Sequence, residues 1–378
     1  MSAPRLLILV GATILALAAP AGATQVQQIA GGLDNPRHLA FGGHTLYVAE
    51  AGRGGDGPCV PGAEGGTTCV GATGAVTAID RHVGQRRLVE GLASIGDEGT
   101  GANALGPHGI TVDRFNRVIV TNGGPDGADR DALAAQNPVA DLFGRVLGIG
   151  RDGSIQRLVD VWGFERDNNA DGQVGNPEVD SNAVDVLVKH HRFVIADAGG
   201  NTLLNADESG AVSVLTVFPN QIVPDPAGGD DIPMQAVPTG VVKGPRGDYF
   251  MSQLTGFPFP VGGANVFRVD PRTGEATVFA GGFTNIMDLA FDRHGTLWVL
   301  EIDHDSLLGP STDGAIYAVD PNGAKTLLDL PPGTLTAPGG ITVGDDGALY
   351  VTNKANSVGD GTVLRIDLRD GGHGHWRD

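Results

Sequence analysis

Six copies of one β-rich pattern constrain this chain more than any other feature of its sequence. Each copy opens with Pro-x-Gly or a variant, passes through a β-rich run and a glycine turn, and ends in a second β-rich run whose last residue is polar. The second runs are LYVAE at 46–50, VIVTN at 118–122, FVIAD at 193–197, YFMSQ at 249–253, LWVLE at 297–301 and LYVTN at 349–353. Such internal repetition is typical of folds built from stacked β units. The sequence therefore predicts an all-β fold, a six-bladed β-propeller.

The last copy lacks a fourth strand, and the N-terminal segment has no blade of its own. Runs that fit fourth strands follow the first five copies, whereas little beyond Leu368 follows the sixth. Because an unpaired sheet edge is avoided, we expect the segment beginning at Gln25 to complete the last blade and close the ring. The predicted propeller spans 24–368 and a flexible tail spans 369–378. The longest insertions, 51–73, 123–143 and 163–181, are expected to be loops, with a short helix over Asp129–Ala135.

The N-terminus has the layout of an export signal. Arg5 precedes an apolar run over Leu6–Ala19, which is followed by the small residues Ala21, Gly22 and Ala23. This order is typical of a secretory signal peptide, and the run is shorter than the roughly 20 residues that span a bilayer. The sequence predicts a signal peptide over 1–23, no transmembrane segment in the mature chain, and a secreted or otherwise extracytoplasmic location.

The net charge limits the partners that the protein can bind, and the cysteine content indicates the compartment in which it folds. The formal net charge of −19 argues against binding nucleic acid through a basic face. Cys59 and Cys69 are the only cysteines and lie in one glycine-rich segment, so a disulfide is expected in an oxidising compartment. The alternative, a pair of metal thiolates, lacks further cysteines to complete a tetrahedral site.

Several segments together resemble the ScyD/ScyE family, named after genes in cyanobacterial clusters for the pigment scytonemin. The resemblance rests on DSN at 180–182, IADAGGN at 195–201, LTGFPFP at 254–260, GFTNI at 282–286 and DLAF at 288–291. It implies a secreted propeller of the NHL or gluconolactonase-like type, and it implies no particular activity or catalytic residues. Residues 180–185 read DSNAVD where the family has DSNPYG, so the loop above that blade is expected to differ in shape.

The residues that end the six second strands are all polar oxygen carriers. Since these ends share one face of a propeller, we expect them at one mouth of the central channel: Glu50, Asn122, Asp197, Gln253, Glu301 and Asn353. Their oxygens suit a hard cation such as Ca²⁺, or another ligand. The alternative is that each side chain hydrogen-bonds a neighbouring turn.

The residues just before the first strands bear on catalysis. Metal ligands occupy these places in gluconolactonase-like proteins, and here the residues are Arg37, His108, Val184, Thr239, Met287 and Gly339. The absence of a carboxylate among them counts against a lactonase that uses that metal set. His38 and His108 open the first two blades, and His108 is the candidate general base. The alternative is that both imidazoles pack or hydrogen-bond at the mouth.

One linear motif matches a calcium loop. The oxygen carriers Asp167, Asn169 and Asp171 precede Gly172, and Glu178 follows after five residues. Alternate oxygens would face one ion and Glu178 would close the shell. The flanks do not show a helical pattern and Pro177 restricts the chain, so a chance match in a turn-rich segment is the alternative.

Three hypotheses of function follow. The first is a secreted propeller, stabilised by Ca²⁺, that binds an unidentified small molecule, glycan or protein at the channel mouth. The second is a metal-dependent hydrolase or lyase of the gluconolactonase or streptogramin-lyase type, with a cation held by Glu50, Asp197 and Glu301. The third, an accessory protein of pigment synthesis, rests on the family resemblance alone. A fold by itself does not decide among them.

Overall fold

The computed structural model describes residues 24–62, 65–125 and 130–368. The predicted signal peptide at 1–23 and the tail at 369–378 lie outside the described residues. Six antiparallel β-sheets stand in a ring as the blades of a propeller, which confirms the predicted fold class.

Each blade has four main strands, which follow one another along the chain from the axis outward. The exception is β1 (Gln25–Leu33), the first strand of the chain, which is the outer strand of the last blade. The first blade contains β2 (Pro36–Gly42), β3 (Thr45–Glu50), β5 (Thr67–Asp80) and β6 (Gly84–Asp97), with β4 (Cys59–Pro61) added beside β5. The second contains β7 (Pro107–Val112), β8 (Val118–Asn122), β9 (Arg145–Ile149) and β10 (Ile155–Asp160). The third contains β11 (Ala183–Lys189), β12 (Arg192–Asp197), β13 (Thr202–Asp207) and β14 (Val212–Val217).

The remaining blades follow after a hairpin of β15 (Gln221–Val223) and β16 (Ile232–Met234). The fourth contains β17 (Pro238–Lys243), β18 (Tyr249–Gln253), β19 (Ala264–Val269) and β20 (Ala276–Phe283). The fifth contains β21 (Ile286–Phe291), β22 (Leu297–Glu301), β23 (Ala315–Val319) and β24 (Lys325–Leu327). The sixth contains β25 (Gly340–Val343), β26 (Leu349–Asn353) and β27 (Gly361–Asp367), with β1 as its outer strand.

The N-terminal strand completes the last blade as the sequence predicts. β1 pairs antiparallel with β27, from Gln25 opposite Asp367 to Leu33 opposite Gly361. The first strands contact one another in the order β2, β7, β11, β17, β21 and β25, and β25 contacts β2 again. Pairing the two ends of the chain in one sheet leaves no open edge between the first and last blades.

Buried apolar side chains fill the spaces between neighbouring blades. Between the sixth and first blades, Leu33 and Val363 pack with Leu39, Leu46 and Val48. Alternating residues of each strand supply such layers because successive side chains of a strand point to opposite faces of the sheet. The core is therefore a ring of interblade layers, and Leu33 of β1 belongs to one of them.

The long insertions share one face of the ring, which we call the upper face: the face on which second strands end and first strands begin. One insertion contains α1 (Arg130–Gln136), which confirms the expected short helix, and a 3₁₀ helix at Pro138–Leu142. Another contains α2 (Val161–Asn168) and a 3₁₀ helix at Ala170–Val174.

The predicted disulfide lies within the insertion of the first blade. Cys59 of β4 is bonded to Cys69 of β5, its partner across the strand pair. None of the helices in the described part of the chain has the length and hydrophobicity needed to span a bilayer.

Leu33→Ala tests the contribution of the N-terminal strand. Leu33 is fully buried, so we expect the free energy of unfolding to fall by about 2–5 kcal/mol, measured by denaturant unfolding. Gln27→Ala, an exposed position of the same strand, should change it by no more than about 0.5 kcal/mol. Equal effects of the two substitutions would contradict the role given to β1.

Candidate functional site

A β-bulge lies at the start of five of the six first strands. In β2 the pairing shifts between Pro36 and Leu39, and in β11 and β21 it shifts immediately before Asp185 and Asp288. The two remaining shifts are in β7 and β17. An extra residue in one strand redirects the side chains that follow it, which is why bulges occur often beside functional sites. Here bulges lie at the upper ends of the first strands, beside His38, Asp185 and Asp288.

Three ionisable side chains from alternate blades meet at this point. One ligand atom from each of His38, Asp185 and Asp288 lies within 4.8 Å of the others. His38 Nδ1 is 3.3 Å from Asp185 Oδ1. All three residues are buried, with 2 %, 6 % and 5 % of their surface exposed. We call these three residues the axial trio.

Glycines occupy the same position in the other three blades. A Cβ atom on Gly109 would lie 2.4 Å from the Asp185 Cα, and one on Gly340 would lie 2.6 Å from the His38 Cα. A Cβ on Gly240 would lie 3.2 Å from Asp288 Oδ1. The ring therefore alternates an ionisable side chain with a glycine, because the space left by each glycine admits the neighbouring strand and its side chain.

Backbone groups of the next blade hold both carboxylates in place. Asp185 Oδ2 accepts a hydrogen bond from the Val241 N–H at 2.7 Å, and Asp288 Oδ2 accepts one from the Ile341 N–H at 2.8 Å. Asp288 Oδ1 accepts another from the Leu289 N–H at 2.7 Å. These bonds fix the orientation of both carboxylates, as hydrogen bonds from outside the ligand shell do in metal sites.

The charges of the trio act on one another strongly. Burial disfavours an imidazolium, but the carboxylates of Asp288 and Asp185 more than offset it and raise the pKa of His38 to about 9. Burial raises the pKa of Asp288 to about 6, although the nearby His38 charge lowers it. Shifts of this kind cluster at functional sites, where charges are brought together out of water.

His108, the predicted base, lies beside the trio. Its ring meets that of His38 edge-on, with ring centroids 5.0 Å apart. Burial, followed by the positive charges of His38 and Arg37, holds the pKa of His108 well below its usual value, so its imidazole is neutral at neutral pH. Arg37 donates a hydrogen bond to Ala104 O at 2.5 Å, and burial lowers its pKa to about 10. The structure brings His38 and His108 together; the role of His108 as a base remains a prediction.

The donor set of the trio fits a divalent transition ion. One imidazole nitrogen and two carboxylate oxygens are ligands typical of Zn²⁺ and of other first-row divalent ions. The imidazole of His38 is buried, lies against the Asp185 carboxylate and hydrogen-bonds the backbone of Met287, and because its pKa is raised a bound ion would have to displace a proton from it.

The sequence pattern indicated His38 but neither carboxylate. The residues just before the first strands, which correspond to the metal positions of gluconolactonase-like proteins, contain no carboxylate. Asp185 and Asp288 stand one residue further along, so that absence does not count against a metal site at the start of the first strands. The bulges explain the offset. The sequence does contain a signal that could have identified the two carboxylates. Near the start of the six first strands, an ionisable residue alternates with a glycine: His38, Gly109, Asp185, Gly240, Asp288 and Gly340.

The six strand-end residues predicted at the channel mouth are buried, and most of them fasten loops of the upper face. Glu50 accepts hydrogen bonds from the Asp34 N–H and from Arg87, both at 2.8 Å. Three others accept a backbone N–H from the segment entering the same blade: Asp197 from Asn182, Glu301 from Thr284 and Asn353 from Thr336. Asn122 donates to Ala93 O, and Gln253 accepts from Asn265. Hydrogen bonding to turns is thus present, and a shared ligand at the mouth remains a prediction.

The residues of the predicted calcium loop take different orientations. Asp167 lies in the last turn of α2 and pairs with Arg166 at 2.9 Å, and Glu178 is exposed. Asp171 is buried and accepts hydrogen bonds from Asn176 and Asn201, while Asn169 donates to Pro177 O. The helix before the loop therefore turns Asp167 away from the buried Asp171.

Comparisons with known proteins support the fold. No family model and no curated protein matches the chain. Among solved structures, a gluconolactonase from Xanthomonas campestris is 14% identical, with a TM-score of 0.54 over 94% of this chain and 93% of that one. A putative oxidoreductase (glucose dehydrogenase) from Thermus thermophilus is 15% identical, with a TM-score of 0.53 over 91% and 100%. A putative gluconolactonase is 11% identical, with a TM-score of 0.52 over 92% and 93%. At these identities the likeness establishes the propeller architecture and leaves the activity to the site.

Glu301→Gln tests the environment of one strand-end carboxylate. Burial raises the pKa of Glu301 from 4.5 to about 7, so the folded state holds its proton more tightly than the unfolded state and loses stability as pH rises between these values. Glutamine removes that loss and keeps an acceptor for the Thr284 N–H. We expect the Tm difference, variant minus wild type, to be more positive at pH 8 than at pH 5, as measured by thermal melts.

The control is Glu208→Gln, an exposed carboxyl whose pKa is lowered by Arg117 and His191. It should show no gain at pH 8. A relative Tm of Glu301→Gln that is the same at both pH values would contradict a raised pKa at Glu301.

Proposed function

We propose that this protein is an exported β-propeller that binds a divalent transition ion on its axis and, through it, a small oxygen-bearing ligand at the channel mouth. The observation that carries the proposal is the axial trio: His38, Asp185 and Asp288 converge within 4.8 Å, buried and oriented by backbone hydrogen bonds. Export is supported by the signal-like N-terminus and by the disulfide between Cys59 and Cys69.

Zn²⁺ and Mn²⁺ match this set of donors better than calcium does. Calcium takes six to eight oxygen ligands, whereas the trio offers a nitrogen and carboxylates from only two residues. Three protein ligands leave at least one coordination position for an outside molecule, as in catalytic zinc sites. The long insertions lie on the face of the ring where the first strands begin, and loops held by a rigid scaffold are suited to selecting a ligand.

Calorimetry on chelator-treated mature protein tests the metal proposal. We expect one Zn²⁺ or Mn²⁺ per chain, with at least about ten-fold weaker binding in Asp185→Asn and Asp288→Asn, since even changes to residues that only orient a ligand have effects of that size. Asparagine keeps an acceptor for the backbone N–H groups, so the fold should persist. Asp346→Asn, in a turn where Asp346 pairs with Arg365, is the control and should bind as wild type. Equal binding by all four proteins would refute the proposal.

A hydrolase is the second candidate function, because a neutral imidazole lies beside the trio. His108 is unprotonated at neutral pH and can accept a proton from an attacking water molecule. A divalent ion in the trio would supply Lewis-acid polarisation of a substrate carbonyl. The Xanthomonas campestris protein of similar fold is a gluconolactonase, which suggests small lactones and esters as the first substrates to assay.

Turnover of a lactone and ester panel distinguishes hydrolysis from binding alone. If the protein hydrolyses one of them, we expect chelation to abolish turnover and His108→Gln to lower kcat by roughly 10²–10⁴-fold while metal binding persists. Unchanged turnover in His108→Gln would exclude His108 as the base. Absence of turnover across the panel, together with metal binding, would favour the binding function.

A further inference from the structure

Arg37 is a buried arginine on the upper face whose charge has no counter-charge. It stands in β2 immediately before His38, and 7 % of its surface is exposed. Burial lowers its pKa to about 10, and no carboxylate among the described residues raises it, so the guanidinium is charged and unpaired at neutral pH. Arg53 and Arg87 of the same blade both contact Asp34. In a chain with 44 acidic residues, a buried arginine without an acidic partner is an exception.

Contacts from both neighbouring blades hold Arg37 in place. Its carbonyl oxygen accepts a hydrogen bond from Thr352 Oγ1 of the sixth blade at 2.7 Å. Its Nη2 donates a hydrogen bond to Ala104 O, on the segment that enters the second blade, at 2.5 Å. Its Nε is also buried, and no atom of the described residues accepts a hydrogen bond from it. The guanidinium is thus fixed in position and keeps a donor that the protein does not use.

Packing does not account for a charge at this position. The hydrogen bond to Ala104 O needs only a neutral donor, which a glutamine side chain would provide. A buried charge without a partner lowers the stability of the fold because water no longer solvates it, and a buried donor without an acceptor adds to that cost. An anion that accepts hydrogen bonds from the guanidinium would remove both costs.

The guanidinium and the axial trio are both neighbours of His108. The ring of His108 meets that of His38 edge-on at 5.0 Å, and the positive charge of Arg37 also acts on it. Among the described residues, His108 Nε2 has no hydrogen-bond partner although it is buried. Arg37 and the trio therefore lie close enough together to contact one small ligand at the boundary of the first and second blades.

The charges of the metal-bound site favour an anion. An imidazole that ligates an ion is neutral, and the two carboxylates of the trio balance the charge of a divalent ion. The charge of Arg37 is then the one left without a counter-charge in this group of residues. A monoanion would supply it, and a carboxylate is well suited because its two oxygens match the planar donors of a guanidinium.

We propose that the ligand of the axial site is a small monocarboxylate, whose carboxylate is held by Arg37 and whose other oxygen is directed to the axial ion. This inference rests on the proposed function, because the second contact requires the ion, and it adds the chemical class of the ligand. Arg37 is then a specificity-determining residue. It distinguishes a carboxylate from a neutral molecule of the same shape, since only the carboxylate compensates the buried charge.

Two matched pairs of compounds test the inference on Mn²⁺-loaded mature protein. Lactate and lactamide differ in charge and scarcely in size, and so do the longer 4-hydroxybutyrate and 4-hydroxybutyramide. We expect calorimetry to show at least about ten-fold tighter binding of the acid than of the amide in at least one pair, since a buried, hydrogen-bonded charge pair contributes that much or more. Arg37→Gln keeps a donor for Ala104 O and should abolish the preference, with the amount of Mn²⁺ bound unchanged.

The matched control is Arg53→Gln, which removes a largely exposed positive charge from the same blade and should keep the wild-type preference for the acid. If Arg37→Gln does not fold, Arg37→Lys should still reduce the preference, because lysine lacks the planar fork of donors.

The contrary results separate this inference from the function on which it rests. Mn²⁺ binding with equal affinity for acid and amide, or with no binding of either, would overturn the inference and leave the axial ion standing. A preference for the acid that persists in Arg37→Gln would overturn it as well. A wild-type protein that binds neither Mn²⁺ nor Zn²⁺ would refute the proposed function, and the inference with it.

Discussion

Convergence of six first strands on one axis is the constraint on which the rest of this structure depends. Each first strand contacts the next, and the sixth contacts the first, so little space remains where they begin. The chain meets this limit by alternating glycine with an ionisable residue. Gly109, Gly240 and Gly340 admit the neighbouring strands, and His38, Asp185 and Asp288 occupy the space that results. The same geometry that closes the ring thus concentrates charge at its centre.

Stability alone is a weak explanation for that charge. A buried ion pair seldom stabilises a protein more than apolar side chains of similar volume, because removing the charges from water offsets their attraction. Small apolar residues would satisfy the packing on the axis without this cost. Binding of an ion accounts for the buried charge, since an imidazole nitrogen would hold the ion and the ion would neutralise the carboxylates.

The fold could be predicted from the sequence because the same short strand pattern recurs in every blade. Second strands such as Leu46–Glu50 recur six times, and the missing fourth strand of the last blade identified Gln25 as the start of its partner. The site was predicted poorly because it depends on residues brought together from distant blades after a bulge. A one-residue offset separates Val184 from Asp185 and Met287 from Asp288, and periodicity does not reveal a bulge. Likewise, the sequence did not predict helix α2, which directs Asp167 toward Arg166 and away from the other residues of the calcium-loop motif.

The axial site depends on the whole fold and not on any one blade. The axial ligands are separated by more than a hundred residues and belong to three blades. They approach one another only when the ring is closed, and closure includes the pairing of β1 with β27. Ion binding on the axis is therefore coupled to the complete propeller, which makes the N-terminal strand a determinant of the site although it contributes no ligand.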